Sequence, residues 1–132
     1  MRDDRRMSLL PEFRSNPAPA VGTRSRLLLR LRLGRREVLL RQTIIEPGGD
    51  SGWHYHDGTL IVLVTGAPLD HPGYDCRPVR YRPGRVFREP SGPGHRHLAR
   101  NSGDRPLRLT VLYLNPVGSP LSRGVPSPPC AG

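Results

Sequence analysis

Pro47-Gly48-Gly49-Asp50-Ser51-Gly52 runs into Trp53-His54-Tyr55-His56, and beyond an Asp57-Gly58 turn the chain continues as Leu60-Ile61-Val62-Leu63-Val64. Alternate residues of an extended chain project from one face. His54 and His56 therefore aim two imidazoles at one point, while Trp53 and Tyr55 point the other way, as packing residues. A second pair, His95-Arg96-His97, follows downstream. If strands bring the pairs together, the rings form a metal site.

The flanking pattern is one of strands. Leu27, Leu29, Leu31 and Leu33 alternate with Leu28, Arg30 and Arg32, which predicts a half-buried strand. Gly34-Arg35-Arg36 supplies a turn into a second strand, Val38 to Ile45, so the pair reads as a hairpin. In that second strand Val38, Leu40 and Ile44 oppose Arg41 and Thr43, with Leu39 and Ile45 blurring the faces. Arg30, Arg32 and Arg41 read most simply as a solvated strand face. Leu60 to Val64 is unbroken and aliphatic, as expected of a strand buried on both faces. The segment from Gly66 to Asp75 is turn-rich, and His71, in a His-Pro-Gly turn, is expected to be exposed. Short strands are predicted over 77–82, 86–89 and 95–99. Asn101 suits a turn cap. Leu107, Leu109, Val111 and Tyr113 then alternate with Arg108, Thr110 and Leu112, the clearest strand of the chain. Short strands with turn chemistry between them, together with 16 prolines and 15 glycines, predict an all-β fold.

The 132 residues suit one domain. The expected division is a loosely held leader over 1–24, a β domain over 25–116, and a Pro/Ser/Gly-rich tail over 117–132. A formal charge of +10 would ordinarily raise nucleic acid as a partner. Every basic residue here is arginine, however, in a chain rich in Gly, Pro and Ala, which is the mark of GC-rich coding rather than of a built phosphate surface. Nucleic acid therefore ranks last. No apolar run reaches membrane-spanning length, and Arg30 and Arg32 interrupt the only leader-like stretch, so a cytoplasmic protein without a membrane partner is expected. Cys76 and Cys130 are too few for a disulfide framework. They have the option of one bridge pinning the tail, depending on the compartment.

With these motifs in place, the sequence resembles the cupin superfamily, over roughly residues 27–115. Gly48, five intervening residues, and His54-x-His56 fit its first motif, and Gly66 falls near the motif's closing glycine. Gly84 and Pro90 fit the opening of the second motif, with two residues inserted before the histidine, and Gly94, His97 and Asn101 fit its close. The resemblance implies a double-stranded β-helix, or jelly-roll, barrel, and a homodimer. One departure stands out. The first motif's glutamate belongs near position 60 or 61, where this chain has Leu60-Ile61, with Thr59 and Asp57 the nearest polar residues.

The implied ligands are thus three histidines, His54, His56 and His97, holding one divalent transition metal (Fe, Zn, Mn, Ni or Cu) with positions left open. His95, two residues before His97, is expected to face the same interior. It is a candidate fourth ligand, an outer hydrogen-bonding partner or a proton carrier, and the one visible candidate for catalysis. Tyr113 is expected in the core, its hydroxyl within reach of the interior. The function expected is an oxygenase- or isomerase-like enzyme acting on a small polar or anionic molecule. The alternative is a non-catalytic small-ligand or metal-binding module.

Overall fold

The computed structural model describes residues 19–131, so most of the expected leader lies outside the described residues. The strands are β1 (Val21–Leu33), β2 (Arg36–Asp50), β3 (His54–Tyr55), β4 (Thr59–Thr65), β5 (Leu69–Asp70), β6 (Arg80–Tyr81), β7 (Val86–Glu89), β8 (Leu107–Pro116) and β9 (Arg123–Gly124). Five of them form one antiparallel sheet in the order β1-β2-β8-β4-β7. Facing it is a broken layer. β3 pairs with β9, β5 pairs with β6, and isolated bridges from His97 to His54 and Gly73, and from Arg100 to Asp50 and Asp70, join these pieces. Two antiparallel layers closing on one interior are the jelly roll the sequence predicts. Among the described residues no helix is long and apolar enough to cross a membrane.

Register explains how the interior is lined. Leu39, Tyr113, Leu60 and Glu89 form one cross-strand row, and Arg41, Val111, Val62 and Phe87 form the next. Cross-strand partners share a face, so everything in these rows points into the barrel. The predicted alternation of β8 holds, with Leu107, Leu109, Val111 and Tyr113 all buried. β4 alternates rather than being buried throughout, because only Leu60, Val62 and Val64 lie in the core while Ile61 and Leu63 are half-buried.

Two expectations about faces fail. In β2 the inward residues are Leu39 and Ile45, and Arg41 and Thr43 share that face. The polar pair lines a cavity instead of meeting solvent. In β1 a bulge between Leu27 and Leu29 switches faces, so Leu27 pairs with Arg41 while Leu29 and Leu31 pair with Leu40 and Val38. β1 is also an edge strand, and Leu31 and Leu33 remain 49% and 57% exposed rather than half-buried.

The connections are tightly built. Gly66 has φ +86°, and a Cβ there would lie 2.5 Å from the Pro106 carbonyl oxygen, a position only glycine fills without displacing backbone. Asn101 is fully buried and does more than cap a turn. Its amide donates to the carbonyls of Ile45 and Arg105, and its side-chain oxygen accepts from the Gly103 N–H. The tail folds back over the barrel. β9 pairs with β3, Tyr74 donates to the Pro126 carbonyl at 2.6 Å, and Cys76 and Cys130 form a disulfide. Trp53 is buried edge-to-face against Tyr74, a packing role.

Candidate metal centre

His54 and His56 extend from the β3 segment, and His97 enters from the chain opposite. Reciprocal backbone hydrogen bonds between His54 and His97, at 3.0 and 2.9 Å, hold the two segments together. Their rings converge, with centroids 4.8 Å apart for His54 and His56, 4.4 Å for His54 and His97, and 5.2 Å for His56 and His97. One ring nitrogen from each lies within 4.8 Å of the others, a group that could hold a metal ion.

The backbone sets the tautomers. His54 Nδ1 donates to the Gly52 carbonyl at 2.8 Å, His56 Nδ1 to the Leu121 carbonyl at 2.7 Å, and His97 Nδ1 to the His95 carbonyl at 2.8 Å. A carbonyl only accepts, so each Nδ1 carries a proton, and in the neutral ring Nε2 is left to present a lone pair, as a metal ligand requires. Burial, with the neighbouring charges of His97 and His56, pushes His54 down to about 3. Burial lowers His56 too, although Glu89 and the Leu121 carbonyl oppose it. Neutral imidazoles are the ligating form.

A carboxylate is present after all, on a different strand. Leu60 stands where the motif glutamate belongs, and its cross-strand partner is Glu89 of β7. Glu89 Oε2 lies 2.6 Å from His97 Nε2 and accepts a 3.0 Å hydrogen bond from His71 Nε2. The contact with His97 is close but not aligned as a hydrogen bond, which leaves His97 Nε2 buried with no directed partner. Grouped within 4.8 Å of ligand atoms of His54 and His56, it fits a metal ligand once unprotonated. Burial alone would raise the Glu89 carboxyl, but the hydrogen bond from His71, the close contact with His97 and the charge of both rings hold it well below its ordinary value. Burial likewise disfavours charge on His97, yet Glu89 and the His95 carbonyl more than offset this and raise it.

The placement of His71 and His95 corrects two expectations. The His71 side chain is only 11% exposed, and its Nδ1 faces the Leu98 carbonyl at 3.1 Å. With Glu89 and His97 it makes a second group within metal-binding distance. His95 is exposed, ends a 3-10 turn over Pro93–His95, and belongs to neither group; its carbonyl accepts from His97 Nδ1. Alternation would have set it beside His97 only in a regular strand, and Pro93-Gly94 prevents one.

The remaining walls belong to a cavity of about 200 Å3. Its apolar lining includes Leu60, Val62, Leu69, Phe87, Leu109 and Val111, and its polar lining includes Arg41, Thr43, Ser25 and Tyr113. Arg41 Nη1 donates to the Tyr113 hydroxyl at 3.2 Å. Tyr113 stands edge-on to His56 with centroids 6.0 Å apart, and its phenol is raised above its ordinary value by burial.

Comparison with known proteins agrees with the architecture. The chain is similar to the polyketide cyclase RemF from Streptomyces resistomycificus, at 22% identity over 83% of this chain and 75% of the cyclase, with a TM-score of 0.65. It is similar to a protein with a double-stranded β-helix domain from Klebsiella pneumoniae, at 17% identity over 75% of this chain and 78% of that one, with a TM-score of 0.61. The DMSP lyase DddQ from Ruegeria pomeroyi matches at 20% identity over 77% of this chain and 51% of the lyase, with a TM-score of 0.62. At these identities the likeness establishes the fold. No curated protein matches the chain significantly. The cupin domain model matches residues 41–113, more than half of the sequence, and the chain belongs to the cupin domain family.

Proposed function

We propose that this cupin holds one divalent transition metal through Nε2 of His54, His56 and His97, and acts on a small oxygen-donor molecule in the barrel cavity. The single observation that carries the reading is the grouping of the three histidines within 4.8 Å, each with Nδ1 bonded to a backbone carbonyl so that Nε2 is left to ligate. When bound, the ion supplies Lewis acidity and open coordination positions. Glu89 stands in for the missing motif glutamate as a carboxylate beside His97, and His71 positions it. The ion's Lewis acidity would act on a substrate oxygen inside the same cavity, which favours an oxygenase- or isomerase-like enzyme over a binding module.

Elemental analysis of purified protein tests the site. One equivalent of metal is expected in the wild type and none in His97→Ala, and full metal content in the variant would sink the assignment. Catalysis separates from mere binding by turnover of candidate substrates under air and under nitrogen. We also propose that a second copy covers the outer sheet face, where Leu29, Leu31 and Leu114 stand exposed on one side. Sedimentation of Leu31→Arg checks this, with a monomer expected where the wild type is a dimer.

A further inference from the structure

Arg41 differs in its surroundings from the ion-paired arginines of this chain. It lies on the inner face of β2, in a row with Val111, Val62 and Phe87, and lines the cavity that holds the histidines. Its one side-chain partner among the described residues is a phenol, that of Tyr113. The carboxylates that form ion pairs among the described residues are engaged elsewhere: Glu46 with Arg24, Glu37 with Arg30, Asp70 with Arg80, Asp57 with Arg123, and Glu89 with His71 and His97. A half-buried guanidinium against apolar walls, with no anion to balance it, is costly to keep. It is also preorganised for a carboxylate, which it receives with two parallel hydrogen bonds. Ser25 and Thr43, bonded to each other at 2.8 Å, add hydroxyls on the same wall.

The cavity limits what such an anion can carry. Leu60, Val62, Leu69, Phe87, Leu109 and Val111 line the same cavity, and its volume is about 200 Å3. A dry cavity of roughly 150 Å3 accommodates benzene, so one ring with small substituents fits here. We infer that the cavity takes a small amphiphilic carboxylate, its carboxyl held by Arg41, its one-ring or short-chain apolar body against Val62, Val111 and Phe87, and an oxygen at its far end turned to the histidine cluster. The far-end contact rests on the metal reading above, and the Arg41 contact does not.

Calorimetric titration of zinc-loaded protein with para-hydroxybenzoate and para-hydroxybenzamide tests this. The acid should bind the wild type about 10- to 100-fold more tightly than Arg41→Met, with zinc content unchanged and Arg41→Lys intermediate. The amide should bind weakly, and equally in wild type and Arg41→Met. The comparison of acid with amide needs no variant, so a variant that fails to fold does not stop the test. Equal binding of acid and amide, equal binding by wild type and Arg41→Met, or no binding of the acid would overturn the inference. If the wild type takes up no zinc yet binds the acid through Arg41, the anchor stands and the metal reading falls. If zinc binds and the acid binding ignores Arg41, the metal reading stands and the anchor falls.

Discussion

The two walls of the cavity are built by different means. One is a continuous ladder, β1-β2-β8-β4-β7, in which each inward side chain is fixed by register. The other is a patchwork of two-residue strands and single bridges, and it carries His54, His56, His71 and His97. The ladder aims Arg41, Tyr113 and Glu89 by period-two geometry. The patchwork aims its imidazoles one at a time, through backbone carbonyls that accept from Nδ1. The ligand-bearing wall therefore depends on whatever holds its pieces in place, and chief among these is the tail.

Severing that hold should produce the largest effect. The Cys76–Cys130 bridge spans a sequence separation of 54 and anchors the tail whose Leu121 carbonyl orients His56. The loop-entropy relation assigns a closure of this length about 4 kcal/mol. Cys76→Ser should lower the melting temperature accordingly. It should also speed amide hydrogen exchange at β3 and β9 while β8 stays protected, which would confirm that the walls open separately. Uniform loss of protection would erase the distinction between them.

Asn101 joins the walls, and its loss should come second. Its side chain bonds Ile45 on the ladder, while its backbone exchanges bonds with Gly48 and Gly49 at the start of the histidine loop. Asn101→Ala leaves the Ile45 carbonyl and the Gly103 amide without this partner, and about 2–3 kcal/mol is expected in denaturant unfolding. A loss below about 0.5 kcal/mol would show that water replaces it.

The ladder was largely legible in the sequence and the patchwork was not. β8 could be read because Leu107, Leu109, Val111 and Tyr113 all face one buried side. β2 misled because its cavity needs polar lining, so Arg41 and Thr43 invert the usual inside-outside pattern. β1 misled because a bulge splits its leucines between two faces, something no alternation reveals. In the site, His54, His56 and His97 were visible through motif spacing. Glu89 had only a weak local signal, alternation with Phe87 just before Pro90, since the Leu60 pairing that gives it meaning is a matter of register. His71 sits in a sequence that signals an exposed turn, and only the tertiary fold brings that turn onto Glu89.

Glu89 is where the ladder touches the patchwork's ligands, and Glu89→Gln tests that junction. Glutamine keeps the shape and the bond from His71 but removes the charge beside His97 Nε2. Zinc affinity, read by competition with a chelating dye, should fall roughly 10- to 100-fold. Unchanged affinity would place the metal away from the ladder, on the histidine wall alone.

The smallest effect probes the ladder without disturbing the histidines. Burial raises the Tyr113 phenol and Glu89 adds to the rise, while the charge and hydrogen bond of Arg41 pull it down. Its folded value exceeds the unfolded one of about 10. The neutral phenol therefore contributes stability that is fully present below about 10 and lost as pH rises through the folded value. Ultraviolet absorbance of the phenolate should show a late step that Tyr113→Phe removes. Arg41→Met takes away the lowering influence, so the step should move to still higher pH. A carboxylate bound at Arg41 offsets the same charge, so saturating cyclohexanecarboxylate, which has neither a phenol nor an aromatic absorbance, should move the step in the same direction in the wild type and leave it unmoved in Arg41→Met. A downward shift in the variant would mean that the guanidinium does not face the phenol, and the wall assigned to substrate recognition would lose its anchor.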